Sequence, residues 1–284
     1  MKKLLKFFIA IVLLLTVTYN ATLWYVNSNI EQRVAKKKVF NDCHKIWSAR
    51  GIYSSKKEQN SLKSFQKAEE VGYIGFEVDF YYDTALDKFV ISHDKPKKGK
   101  DGKLHYSLKD GKLFTLQELF SKFGKNHYFW LDYKNLDRLN KEDTLKAINR
   151  LQQITKMHNI KQRIYLEGCN PFKLNSYEKE GFKTLLSFHP LPKSSPFSSI
   201  SSNFFKMVYF FNDSSALAMQ YGKLKDPKYN ETTQKNLKGI PQFLFHIPTN
   251  NKLVKKLVKM KDVRVMLVGR DKSVNYTKFN ECKQ

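Results

Sequence analysis

Glycine and proline are sparse, at 12 and 8 in 284 residues, and no segment repeats at a fixed period. Collagen-like, linker-rich and solenoid architectures are excluded on that ground. Acidic residues are also short, with 26 Asp plus Glu against 51 Lys plus Arg, for a formal net charge of +25. Such a surface suits anionic partners: phosphates, acidic lipid or nucleic acid. The chain has no arginine–aromatic RNA motif, no zinc-finger spacing and no DNA-reading helix, so nucleic acid is not the expected partner. What is abundant is apolar. Hydrophobic residues make up 41% and aromatics 14%, too much for a disordered polyelectrolyte.

The first apolar block is N-terminal. Met1 to Lys6 is short and basic, and Phe7 to Val26 supplies about the twenty apolar residues that cross a bilayer as a helix. A cleavable signal wants a small residue where Tyr19 stands before the best cut, after Ala21. Trp24 and Tyr25 close the run as an interfacial aromatic pair does. The expectation is an uncleaved membrane anchor over 1–38, with a cleaved, secreted form as the alternative. Basic residues flank both ends, so the charge rule barely sets orientation; the signal-like layout favours export. The three cysteines allow one disulfide and one free thiol. If the fold brings its ends together, Cys43 and Cys282 are the natural pair, in an oxidising compartment. Three unrelated thiols is the other reading.

From Val39 to the end, strand-length apolar runs recur at 45–49, 73–79, 127–132, 163–167, 183–188, 206–211, 241–246 and 263–268. Helical spacing lies between several of them, at 60–71, 143–158 and 249–260. Strands alternating with helices predict parallel βαβ units, and eight of them predict a (β/α)8 barrel over 39–284. After Asp79 the pattern breaks into a hairpin, with Tyr81 and Tyr82 on one arm and Phe89 to Ile91 on the other. A lysine-rich insertion follows at 95–112, either a solvated loop or a holder of anionic substrate and headgroups.

Acids and imidazoles fall at strand ends. Glu77 and Asp79 are two apart, so both face one side. His93 and Asp94 end the hairpin, Asp132 the third strand and Glu167 the fourth. Glu77, Asp79 and Asp132 converging on a barrel mouth would cage one hard divalent cation, Mg²⁺ or Ca²⁺. Lys134 stands two beyond Asp132, placed to meet a phosphate oxygen.

Five stretches carry a resemblance: Ala49-Arg50-Gly51, Gln59 to Phe65, Glu77-Val78-Asp79, His93-Asp94 and Asp132-Tyr133-Lys134. In this order they resemble the glycerophosphodiester phosphodiesterase family of phospholipase-C-like barrels, whose pattern is HRG, E-N-T-x-x-A-F, E-x-D, H-D and E-x-K. The resemblance implies that Glu77, Asp79 and Asp132 bind the metal and that Arg50 and Lys134 hold phosphate. It makes His93 one of two catalytic histidines. The substrate it implies is a small phosphodiester or a phospholipid headgroup. Asp132 replaces the family's Glu and keeps its charge. Ala49 replaces the other histidine, and a methyl group neither transfers a proton nor attacks phosphorus. A pseudoenzyme that binds metal and phosphodiester without turnover is therefore the alternative. Substitutes on the expected mouth face are His189, His246 and the pair Arg270 and Asp271. His44 begins its strand at the wrong end.

Overall fold

The computed structural model describes residues 2–109, 111–269, 274–280 and 282. Its strands are, in chain order, β1 (Ile46–Ala49), β2 (Gly75–Asp83), β3 (Lys88–Ile91), β4 (Lys97–Lys98), β5 (Leu104–His105) and β6 (Tyr128–Tyr133). Then come β7 (Ile164–Gly168), β8 (Lys183–Phe188), β9 (Ala216–Gln220), β10 (Gln242–Ile247) and β11 (Val263–Val268). The helices are α1 (Lys2–Ala35), α2 (Leu62–Glu70), α3 (Leu116–Phe123), α4 (Lys141–His158), α5 (Pro171–Lys179), α6 (Ser198–Phe211), α7 (Glu231–Asn236) and α8 (Asn251–Val258). Parallel pairing runs β1-β2-β6-β7-β8-β9-β10-β11 and returns to β1, a closed barrel of eight strands. The hairpin leaves the ring where β2 continues past Asp79 and pairs antiparallel with β3. The lysine-rich insertion holds the small antiparallel pair β4–β5.

Period-two alternation sorts each strand's side chains between the barrel interior and the helix layer. Trp47, Trp130, Tyr165 and Phe243 fill the interior with Leu185, Ala216, Ala218 and Val265. Space there is complementary. A Cβ on Gly75 would lie 2.3 Å from the Trp47 ring, so β2 must be bare where β1 is largest. Phe40 closes the base, edge-on to Trp47 and Tyr128. Helix starts are locally encoded: Ser61 and Thr115 form capping boxes on α2 and α3. Asn140, Asn170, Asn230 and Asn250 cap α4, α5, α7 and α8.

One expected element is overturned. The run 206–211 is the end of α6, and the sixth barrel strand is β9, ten residues on at Ala216–Gln220. Aromatic and β-branched residues in 206–211 suggest a strand. However, Ser198, Ser202, Lys206 and Tyr209 recur at helical spacing and are buried. α1 covers much of α6's remaining apolar surface: Val26 and Ile30 of α1 are buried in one core with Tyr209, with Phe205, Met207 and Val208 packed against it.

α1 is long and apolar enough to cross a membrane. Its C-terminal half lies along α6, with Lys206 Nζ donating to Asn27 Oδ1 at 2.8 Å and Arg33 Nη2 2.5 Å from Asp213 Oδ1. Lys37 bonds Glu178 at 2.9 Å. Closure brings the start and the end of the barrel segment together, and Cys43 is disulfide-bonded to Cys282 with Cα atoms 5.0 Å apart. Cys169 is a free thiol.

Candidate active site

The mouth end of the interior is where the alternation changes chemistry. Beyond Trp47 comes Ala49, beyond Gly75 come Glu77 and Asp79, beyond Trp130 comes Asp132, and beyond Tyr165 comes Glu167. Register sets Ala49 beside Glu77, Asp79 beside Asp132, and Asp132 beside Glu167. Ala49, Glu77, Asp132 and Glu167 line a cavity of about 550 Å³, whose wall also includes Arg50, His93, Lys134, His189 and His246.

A tight turn delivers Arg50. It has φ +59° and is followed by Gly51 at φ +80°, where a Cβ would lie 2.4 Å from Ser64 Oγ. Only glycine lets the turn press onto the start of α2. Ser64 Oγ donates to the Arg50 carbonyl at 3.0 Å, and the Arg50 N–H donates to the Glu77 carbonyl at 2.9 Å. The guanidinium then points back over the carboxylates, with Nε 2.7 Å from Asp79 Oδ2 and 4.0 Å from Glu77 Oε2.

Asp79 is the hub, fully buried. Asn60 Nδ2 donates to its Oδ2 at 2.8 Å, and Lys134 Nζ lies 2.6 Å from its Oδ1. That second contact is a close ion pair. Lys134 also bonds Asp132. Burial alone would raise the Asp79 carboxyl, yet Lys134 and Arg50 outweigh it and hold it below the usual range. Glu77 goes the other way: burial and then the Asp79 charge push it well up. Burial also raises Asp132, against the pull of Lys134. Glu167, buried beside Asp132, is pushed up to about 8 although Trp130 Nε1 donates to it at 2.5 Å.

Glu77, Asp79 and Asp132 each offer an oxygen, all within 4.8 Å of one another. The set fits a hard divalent cation: it is all oxygen, and three carboxylates exceed the two basic groups among them. Lys134 occupies the gap between Asp79 and Asp132 and must swing aside for an ion there. A second cluster, Asp42, Cys43, His44 and Cys282, lies at the base, but its sulfurs are joined in the disulfide.

The structure brings together Arg50, Glu77, His93, Asp132 and Lys134 around one cavity, with Asp79 beneath. His93 is exposed and bonds Asp94 at 3.1 Å. Ala49 contributes a bare patch of wall. His189 and His246 share that wall, and a break in register between Leu244 and Ile247 leaves His246 at φ +52°. Burial lowers the His189 imidazole, and Lys228 adds to this. His44 stays at the base, 2.6 Å from Asp42. Arg270 and Asp271 lie outside the described residues. Asn60 and Glu167 are the groups to which sequence reasoning gave no role. Asn60 had a signal, its place just before the α2 cap, whereas the link from Glu167 to Trp130 spans two strands.

No family model matches the chain, and no curated protein does. Solved structures do. The glycerophosphodiester phosphodiesterase of Thermotoga maritima superposes with a TM-score of 0.55 at 21% identity, over 79% of this chain and 93% of that one. One from Parabacteroides distasonis gives 0.55 at 18%, over 80% and 93%. One from Agrobacterium tumefaciens gives 0.52 at 12%, over 80% and 96%. At these identities the likeness is one of architecture: the chain has the (β/α)8 fold of solved glycerophosphodiester phosphodiesterases.

Proposed function

We propose that the chain binds a phosphodiester in the barrel mouth and hydrolyses it with the help of one divalent cation. What supports this is a single cavity that gathers two basic side chains, three clustered carboxylates and His93 in a phosphodiesterase-type barrel. Arg50 and Lys134 hold the non-bridging phosphate oxygens. Glu77, Asp79 and Asp132 would hold Mg²⁺ or Ca²⁺, which when bound supplies positive charge to a phosphoryl oxygen. His93, at the exposed edge, transfers one proton. Asn60 and Arg50 keep Asp79 aimed and ionised. The substrate class is a glycerophosphodiester or a phospholipid headgroup, and α1 holds the exported barrel at a membrane.

The methyl group at Ala49 favours a second reading, a binding protein without turnover. His189 and His246, on the same wall, are the groups able to restore turnover. Calorimetry with Mg²⁺ and Ca²⁺ on wild type and Asp79→Ala, alongside hydrolysis of glycerophosphocholine, separates the cases. One cation bound by wild type and lost in Asp79→Ala is expected. Equal affinity in both proteins would sink the metal site, and metal and phosphate binding without hydrolysis would favour the second reading.

A further inference from the structure

α1 does more than precede the barrel; its direction orients it. α6 begins just after the mouth end of β8 and runs back to the base, so Ser198 is at the mouth and Phe211 at the base. The polar contacts of α1 move the same way: Asn27 meets Lys206, then Arg33 meets Asp213, then Lys37 meets Glu178 and the Asp213 carbonyl. Past the helix, the Phe40 N–H donates to Tyr165 Oη at 2.8 Å at the base. α1 therefore descends from mouth to base, and its N-terminal half rises from the mouth. From Asn27 a climb of roughly 12 Å, at 1.5 Å per residue, reaches the α6 start and brings α1 to about Tyr19. Residues 2–18 project roughly 25 Å farther. One face of α1 is covered from about Tyr19 onward, whereas Leu4 to Val17 are exposed.

The rim around that exit carries exposed apolar side chains. Among the described residues, Leu108, Phe172, Phe197, Ile200 and Leu224 are exposed on the insertion, on the segments after β7, β8 and β9, and at the start of α6. Phe172 is 77% exposed. Exposed lysines lie among them, including Lys97, Lys98, Lys100, Lys193, Lys223 and Lys225. Apolar side chains interleaved with lysines suit an anionic bilayer surface, the rings entering the acyl boundary and the ammonium groups staying with headgroup phosphates.

We propose that the mouth rim is a membrane-docking surface: α1 enters the bilayer at the flank of the mouth, past the start of α6, so the mouth end and its pocket face the lipid headgroups. Resting on the phosphodiester reading of the pocket, the substrate is then the phosphodiester of a bilayer lipid, taken at the interface, rather than a soluble glycerophosphodiester. The rim has no need to wait for a soluble encounter, since the same chain that anchors the barrel also aims it.

The test uses the full chain in vesicles of equal parts phosphatidylglycerol and phosphatidylcholine. Spin labels go at Phe197→Cys, at Phe172→Cys and, as a base-end control, at Met157→Cys, each with Cys169→Ser. The three labelled positions are exposed, so the core is left alone. Labels at 197 and 172 should lose collisions with a water-soluble nickel chelate and gain collisions with oxygen, while 157 does not. Equal water access at all three overturns the docking. Headgroup release from the vesicle lipid in preference to hydrolysis of glycerophosphocholine supports the lipid substrate, and the reverse preference overturns it. A shielded rim with no phosphodiester cleaved upholds the docking and discards the phosphodiesterase reading.

Discussion

The two ends of the barrel interior are built from the same alternating strand positions and hold opposite chemistry. At the base and middle, Phe40, Trp47, Phe243 and Trp130 pack edge to face in sequence, Tyr165 lies tilted against Phe243, and the bare Gly75 makes room for Trp47. At the mouth, two or four residues on along the same strands, Glu77, Asp79 and Glu167 are buried and Asp132 half-buried, with Arg50 and Lys134, among the described residues, as their strong cationic partners. The first end lowers its free energy by apolar burial and packing. The second raises it, because burying carboxylates costs more than the ion pairs with Arg50 and Lys134 return. A chain that tolerates this gains an anion- and cation-binding pocket whose positions are held by the packed half below.

The sharpest way to break the comparison is to damage the packed end. Trp47→Ala should cost about 3–5 kcal/mol in urea unfolding. Gly75→Val, which drives side-chain atoms into the Trp47 ring, should abolish soluble folded protein. A stable Gly75→Val would mean that the interior is far looser than its contacts indicate. Changing the mouth should alter chemistry with far smaller effects on stability. Ala49→His should raise metal-dependent hydrolysis by about 10²–10⁴-fold, and His93→Ala added to it should remove the gain. A wild type already at ordinary enzyme rates, unaffected by Ala49→His, would pass the role to His189 or His246.

Cys43→Ser tests the base from outside the packed core. The bond closes most of the chain and should be worth about 2–4 kcal/mol, read as a lower melting temperature that reducing agent reproduces in wild type. The smallest effect belongs to Glu167. Its folded carboxyl titrates near 8 against 4.5 for the ordinary group, so as pH rises between these values the unfolded chain sheds this proton first. The group contributes nothing against the fold below 4.5, and its cost grows up to about pH 8. Glu167→Gln should therefore flatten that loss and stabilise the metal-free protein at pH 8 by about 1–3 kcal/mol. Parallel pH–stability curves for both proteins would show that Glu167 is ionised and paired.

Much of this division is legible in the chain. Val, Ile, Tyr, Phe and Trp runs at βα spacing announce eight strands, and seven of the eight expected runs are strands. The miss at 206–211 has a physical cause: five apolar residues after Lys206 have no decisive period, and packing against α1, about 180 residues away, favours the helix. The hairpin after Asp79 and the caps at Ser61 and Thr115 depend on local turn and capping chemistry, so they are visible without the fold.

By itself the sequence determined which face of each strand carries acid, because alternation is a covalent property of an extended chain: Glu77 and Asp79 must share a side. It also determined an apolar helix at the N-terminus and the residues able to cap α2 and α3. Only the tertiary structure decided that Asn60 and Arg50 meet Asp79, that Trp130 reaches Glu167, and that His189 and His246 share a wall with Ala49. It alone decided that α1 runs down along α6 from the mouth. These contacts join residues brought together by strand register and barrel closure, and register is set by packing of the whole interior rather than by any local segment.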